Sequence, residues 1–339
     1  MKVLFNCDLP FSLAHGGMQV QIEQSLKALR QIGVDAEFLR WWDDKQTGDI
    51  LHQFDTLPDN ITRLAREKGQ KVIVTILLTH QCNRSPRELL VRKLAVGSLL
   101  SLPLPRRVKA MLPWQAARNY DHLTVGLEAE RNFLERVYGL PREKVSLVPL
   151  GLADTFLKAG PPLRAENHLI CTGTITQSKN SLELAEIAHP AKVPMLFVGK
   201  PYDYQSQYWK DFQKFVDGNL VKLHPHVKDP AEIVQLLRRA RGYVLMSRYE
   251  NWSLAAHEAA GCGLPLLLPD QNWSRERFGD QASYFPKKWN AAAAAAALRK
   301  FYDACPALPS PQVHLPSWLE AAENLRDVYN RVLKGSATK

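Results

Sequence analysis

Two periodicities alternate along the chain. Short runs of β-branched and aliphatic residues at 2–6 (KVLFN), 34–39, 49–54 (DILHQF) and 72–77 (VIVTIL) have the length and spacing of strands. The last is almost continuously apolar, as expected of a strand covered on both faces of a parallel sheet. Between the first two, Val20, Ile22, Leu26 and Leu29 mark an amphipathic helix that stops near Gly33. A strand at 123–126, a helix at 128–138 and a strand at 145–149 complete the first half. Such alternation predicts a doubly wound α/β domain.

The same grammar then restarts. Strands are expected at 169–171, 194–198, 221–223, 243–246 and 264–268, with helices at 182–188, 231–240 and 254–262. Between 157 and 164, Gly160-Pro161-Pro162 breaks both periodicities and marks a boundary. The alanine run 291–297 is a strong helix former that continues to about 302. Prolines 306, 309, 311 and 316 then punctuate a linker to a last helix over 318–333. The expected division is therefore 1–157, 164–315 and 316–339. A length of 339 residues suits two domains of roughly 150 residues each.

Charge changes this picture in one place. The net charge is +10, and the stretch 84–118 holds +7 of it: Arg84, Arg87, Arg92, Lys93, Arg106, Arg107, Lys109 and Arg118 against Glu88 alone. Leu89, Leu90, Leu94, Leu99, Leu100, Leu102 and Trp114 are interleaved with these charges. The mixture suits a segment lying on anionic lipid; a core helix with a solvated basic face has the same composition. No nucleic-acid-binding motif accompanies the charge, so nucleic acid is not an expected partner. The five cysteines show no paired spacing, which argues against a disulfide framework or a zinc site and for reduced cytoplasmic thiols. No segment approaches 18 uninterrupted apolar residues.

Three segments carry candidate chemistry at the carboxyl ends of strands, where open α/β sheets bind ligands. Gly16-Gly17 follows the first strand; it is either a phosphate cradle at a helix N-terminus or a plain strand-to-helix turn. Gly173, after the first strand of the second half, is followed by Lys179, which can neutralise a diphosphate or simply lie in solvent. The third segment, 247–265 (SRYENWSLAAHEAAGCGLP), reads strand end, loop, helix, glycine stop, strand. Glu250 falls in its loop and Glu258 in its helix, with Asn251 or Ser253 able to cap the helix start.

The stretch 221–270, which contains this third segment, resembles the signature region of the retaining glycosyltransferases of family 4, which have the GT-B fold of two Rossmann-like domains facing each other across a cleft. Glu250 and Glu258 match the family's E-x7-E pair, and Glu258-Ala259, Gly263 and Pro265 match the pattern that follows it. Residues 120–156 and 318–333 look like the family's N-terminal domain end and its returning helix. The resemblance implies an acceptor-binding domain at 1–157, a sugar-nucleotide-binding domain at 164–315 and a C-terminal helix, 316–339, that crosses back to the N-terminal domain. Glu250 would contact the donor sugar at the reacting centre and Glu258 the ribose hydroxyls. Lys179 and the N–H groups of Trp252, Ser253 and Leu254 would meet the departing diphosphate. His80, otherwise an ordinary polar residue at a strand end, looks like the family's histidine facing the donor or acceptor sugar.

Glycosyl transfer needs such an arrangement, because positive charge develops on the sugar while negative charge builds on the leaving oxygen. The sequence has no Asp-x-Asp pair, so leaving-group stabilisation without a metal or other cofactor is expected, with a nucleotide sugar as donor substrate. The implied partners are a UDP- or GDP-sugar and a glycan or lipid-linked acceptor, met in the cytoplasm or on the inner membrane face through 84–118. Two departures favour instead a non-catalytic GT-B protein that binds sugar nucleotide or a partner enzyme: Thr174 stands where the family has arginine, and Asn251 and Ser253 replace its usual glycines. A sugar-nucleotide epimerase on the same fold is a third reading.

Overall fold

The computed structural model describes residues 1–8, 10–11, 16–103, 113–288 and 290–335. By internal contacts the chain divides into two units: Met1–Ala14, Met18–Gly151 and Trp318–Lys339 in the first, His15–Gly17 and Leu152–Ser317 in the second.

The first unit contains β1 (Lys2–Cys7), α1 (Gly17–Gln31), β2 (Asp35–Phe38), β3 (Ile50–Phe54), α2 (Asp59–Glu67), β4 (Lys71–Thr75), α3 (Pro86–Ser101), α4 (Pro113–Asn119), β5 (His122–Val125), α5 (Glu128–Tyr138) and β6 (Val145–Leu147). Its strands pair in parallel in the order β2-β1-β3-β4-β5-β6. The chain leaves β1 first to one side and then to the other, so a switch point lies between β1 and β3. The strand expected at 72–77 stops at Thr75. Beyond it the Leu78 N–H donates to the Glu130 carboxylate at 2.9 Å. That buried carboxylate also takes the N–H groups of Gly126 and Leu127, and it turns the chain out of the sheet before His80.

The second unit repeats the plan with β7 (Leu169–Thr172), α6 (Ser181–Ala191), β8 (Met195–Val198), α7 (Gln207–Gln213), β9 (Val221–His224), α8 (Pro230–Arg239), β10 (Gly242–Val244), α9 (Leu254–Gly261), β11 (Leu266–Leu268), α10 (Asn272–Phe278), β12 (Ser283–Tyr284) and α11 (Ala291–Ala304). The parallel order is β12-β11-β10-β7-β8-β9, the 3-2-1-4-5-6 order of Rossmann sheets, with its switch point between β7 and β10. Leu169, Val244 and Leu267 of the strands pack with Leu184 and Ala188 of α6 and Leu298 and Phe301 of α11 in one core.

The last helix, α12 (Trp318–Lys334), belongs to the first unit. Trp318, Ala321, Ala322, Leu325, Val328 and Tyr329 form its buried stripe, recurring at the three- and four-residue spacing of one helix face. The Tyr329 hydroxyl shares a 2.6 Å hydrogen bond with His52 Nδ1 of β3. His52 Nε2 bonds the Thr75 hydroxyl at 2.7 Å, and Thr75 bonds Thr124 at 2.6 Å. Burial pushes the His52 ring down to about 3, so it stays neutral in this chain of contacts. Tyr329→Phe leaves a buried ring nitrogen unbonded and is expected to cost about 1–3 kcal/mol. Urea unfolding should show a lower midpoint at unchanged slope.

Among the described residues no helix is long and apolar enough to cross a membrane, and no cysteine forms a disulfide. In α3, Leu89 packs against the core and Val96 lies within it, while Leu90, Val91 and Leu94 are each more than half exposed. Of the basic residues read in 84–118, Arg106, Arg107 and Lys109 lie outside the described residues, as do the placements of the Leu100 and Trp114 side chains.

Candidate functional site

The switch point of the second sheet gathers most of the expected site residues. β7 ends at Thr172 and runs into Gly173, whose φ of +136° lies in the region that favours glycine. The approach of the next loop is tight, because a Cβ on Gly199 would stand 1.9 Å from the Gly173 carbonyl oxygen. A short 3₁₀ turn, Gln177–Lys179, then delivers Lys179 just ahead of α6. On the other side of the switch point, β10 leads into the loop carrying Glu250. Lys179 Nζ and the Glu250 carboxylate form an ion pair there, joining residues 71 positions apart in the chain.

The Glu250 loop is braced from three directions. Asn180, in the left-handed conformation at φ 50°, donates from Nδ2 to the Met246 carbonyl at 2.9 Å and accepts from Arg248 Nε at 2.6 Å. Gln271 donates to the carbonyls of Ser247 and Arg248 at 3.1 and 2.8 Å. Arg277 lies over the Trp252 ring at 4.2 Å and donates to His257 Nε2 at 3.2 Å. The His257 ring stacks on Trp252 at 4.6 Å and is held neutral by burial, which pushes it down to about 3. Asn180, Gln271, Arg277 and His257 were not singled out from sequence; the Lys179-Asn180 step was the one local signal, since asparagine tolerates the left-handed region.

Ser253 takes φ 54° and caps α9, its hydroxyl accepting from the Ala256 N–H at 3.4 Å. That backbone conformation accounts for the glycines usual in this loop, and here a serine carries it. The N–H groups of Trp252, Ser253 and Leu254 find no acceptor among the described residues, so three donors and the helix N-terminus remain for an anion. One α9 turn further on lies Glu258, partly buried. Burial alone pushes its carboxyl up to about 7, and it makes no hydrogen bond or ion pair among the described residues. Near the site the Ser247 hydroxyl is buried with no hydrogen-bond partner among the described residues. Tyr243 ionisation is driven well above 10, by burial first and then by Cys171, with Glu258 and Glu250 adding to it.

The remaining expected residues are placed as follows. Gly17 opens α1, and Gly16 has φ +146°; both group with the second unit, where added Cβ atoms would meet Tyr202 Oη at 3.3 Å and Leu254 Cδ1 at 4.0 Å. Asn251 is half-buried in the loop between Glu250 and the buried Trp252. His80 belongs to the first unit, exposed in a turn five residues past the end of β4 and not at a strand end.

Known proteins bear on this site. The family model "Family 4 Glycosyltransferase in conflict systems" matches residues 116–279, a little under half of the chain. No sequence among curated proteins matches. Solved structures match along the whole length. Sucrose-phosphate synthase from Thermosynechococcus elongatus superposes with a TM-score of 0.67 at 15% identity, covering 99% of this chain and 100% of its own. Anabaena HepE in complex with UDP and glucose gives 0.64 at 13%, covering 97% and 99%. The lipopolysaccharide outer core galactosyltransferase WaaB gives 0.62 at 11%, covering 98% and 100%. These identities speak for the fold, and the family model speaks for the segment that holds both glutamates. The chain thus has the GT-B fold of these structures, and its segment 116–279 is similar to the family-4 glycosyltransferases.

Proposed function

We propose that this enzyme transfers a hexose from a UDP- or GDP-sugar to a glycan or lipid-linked acceptor, with retention at the anomeric carbon and without a metal ion. The observation that carries the reading is the Lys179–Glu250 ion pair at the sheet's switch point, beside unbonded N–H groups and an unbonded carboxylate at Glu258. Lys179 and the three N–H groups are suited to the negative charge of a leaving diphosphate. Glu250 is suited to the positive charge that grows on the sugar. Glu258, as an acceptor of hydroxyl hydrogens, is suited to a ribose. The second unit then takes the donor, and the first unit, including α12, takes the acceptor, with His80 facing a sugar. The neighbours solved with UDP and glucose and named for an outer core galactosyl transfer support the substrate class. The exposed Leu90, Val91 and Leu94 of α3, with Arg87 before them and Lys93 among them, support contact with an anionic membrane face.

Thermal unfolding with UDP-, GDP-, ADP- and TDP-glucose tests the donor site. A nucleotide sugar at about 100 times its dissociation constant adds about 2.7 kcal/mol, a rise of about 5 °C or more. The expected result is such a rise with UDP- or GDP-glucose. No rise with any of the four overturns the reading.

A further inference from the structure

The switch point of the first sheet carries a feature of its own. Trp41 and Trp42 follow β2 as an adjacent pair and are 69% and 84% exposed. Their loop is braced. The Arg40 guanidinium spans Glu37 and Asp43 at 2.7 and 2.8 Å, and the Arg40 backbone N–H donates to Gln46 Oε1 at 2.7 Å. The Gln46 amide in turn donates to the Phe38 carbonyl at 3.0 Å. The Trp41 indole N–H donates to Asn6 Oδ1 at 2.9 Å. Asn6, near the end of β1, donates at 2.6 Å to Gln53, near the end of β3, and both are buried. Trp41, with Trp42 next to it in the chain, is thus tied to the two strand ends between which the order of connections reverses, the place where open α/β sheets take ligands.

Charge separates the candidate occupants. Residues 35–49 hold Asp35, Glu37, Asp43, Asp44 and Asp49 against Arg40 and Lys45, an acidic island in a chain of net charge +10. Asp44 is exposed and forms no ion pair among the described residues. Such a loop repels anionic lipid and nucleic-acid backbones. It suits a neutral pyranose, whose C–H face packs on an indole ring while its hydroxyls donate to carboxylates.

We propose that Trp41 and Trp42 form the acceptor subsite, a platform for a neutral pyranose ring of the acceptor glycan. The proposal rests on the glycosyltransferase reading above and names the acceptor's chemistry. Trp42 gives the stacking face, Trp41 is fixed by Asn6, and Asp44 receives hydroxyl hydrogens.

The test titrates the full-length protein with maltotriose, cellotriose, chitotriose and mannotriose, and separately with phosphatidylcholine–phosphatidylglycerol vesicles. Tryptophan fluorescence is followed in the wild type, Trp42→Ala and Trp41→Phe, and thermal response to the nucleotide sugars is measured on the same samples. At least one trisaccharide should perturb the fluorescence. Trp42→Ala should raise its dissociation constant about tenfold, with the nucleotide-sugar response intact. The proposal is overturned if none of the trisaccharides is bound, if binding is unchanged in Trp42→Ala, or if the Trp42-dependent signal comes from the vesicles instead. An intact donor response with no trisaccharide binding removes the platform and leaves the enzyme reading standing. The reverse pattern removes the donor reading and leaves the platform.

Discussion

Glu258→Gln should make the unliganded protein more stable at pH 8 while abolishing its response to nucleotide sugars. The Glu258 carboxyl, ordinarily near 4.5, is pushed up to about 7 by burial in α9. The folded state therefore keeps a proton that the unfolded chain has already lost, so stability falls as pH rises from about 4.5 through 7 and stays reduced above it. At about 1.4 kcal/mol for each tenfold change in proton affinity, the cost at pH 8 is at most about 3 kcal/mol, given that the side chain is only partly buried. Glutamine removes the charge and keeps the shape. The gain should shrink as pH falls and vanish below about pH 4.5, which urea unfolding at a series of pH values will read. A gain over the wild type no larger at pH 8 than at pH 4 would contradict this account of the carboxylate.

Lys179→Met is expected to lower turnover about 10²–10³-fold, the usual loss when one preorganised donor to a developing negative charge is removed. In the resting site the ammonium is engaged by Glu250. In the proposed reaction a diphosphate, with more negative charge, would compete with Glu250 for that ammonium. The two side chains then act as a unit, each changing the charge the other presents. Glu250→Gln should cost a similar factor, and the double variant should be no worse than the poorer single one. Steady-state turnover of the four proteins decides it: losses that multiply would show the two groups working independently. Measurable turnover that survives Glu250→Gln unchanged would remove Glu250 from the reacting centre.

Sequence reasoning reached the site through its local grammar. Glu250, Glu258, Gly173 and Lys179 lie beside strand ends, and the pattern of apolar runs locates those ends to within a few residues. The GT-B assignment rests on one restart of the same alternation and one short signature, and the structural neighbours agree with it. What sequence left out acts over long separations. Asn180 reaches the Met246 carbonyl across 66 residues and Gln271 the Ser247 carbonyl across 24, and no periodicity reports a side chain that bonds a distant backbone. His80 was misplaced for a related reason. The apolar run 72–77 gives no hint that the Leu78 N–H will go to Glu130, 52 residues away, rather than to a neighbouring strand. The short helix Asp59–Glu67, mostly polar, passed unread because only Thr62 and Ala65 of it are buried.

The ownership of α12 bears on how the molecule is made. The first unit is discontinuous: its sheet is complete at Gly151, but the helix whose Tyr329 bonds His52 lies at 318–334. A ribosome adding about 5–20 residues per second must synthesise the whole second unit before that helix emerges. For about ten seconds or more the nascent first sheet waits without α12 and His52 without its tyrosine, while the second unit, continuous from Leu152 to Ser317, is free to fold. The unit synthesised first is thus the last to be finished.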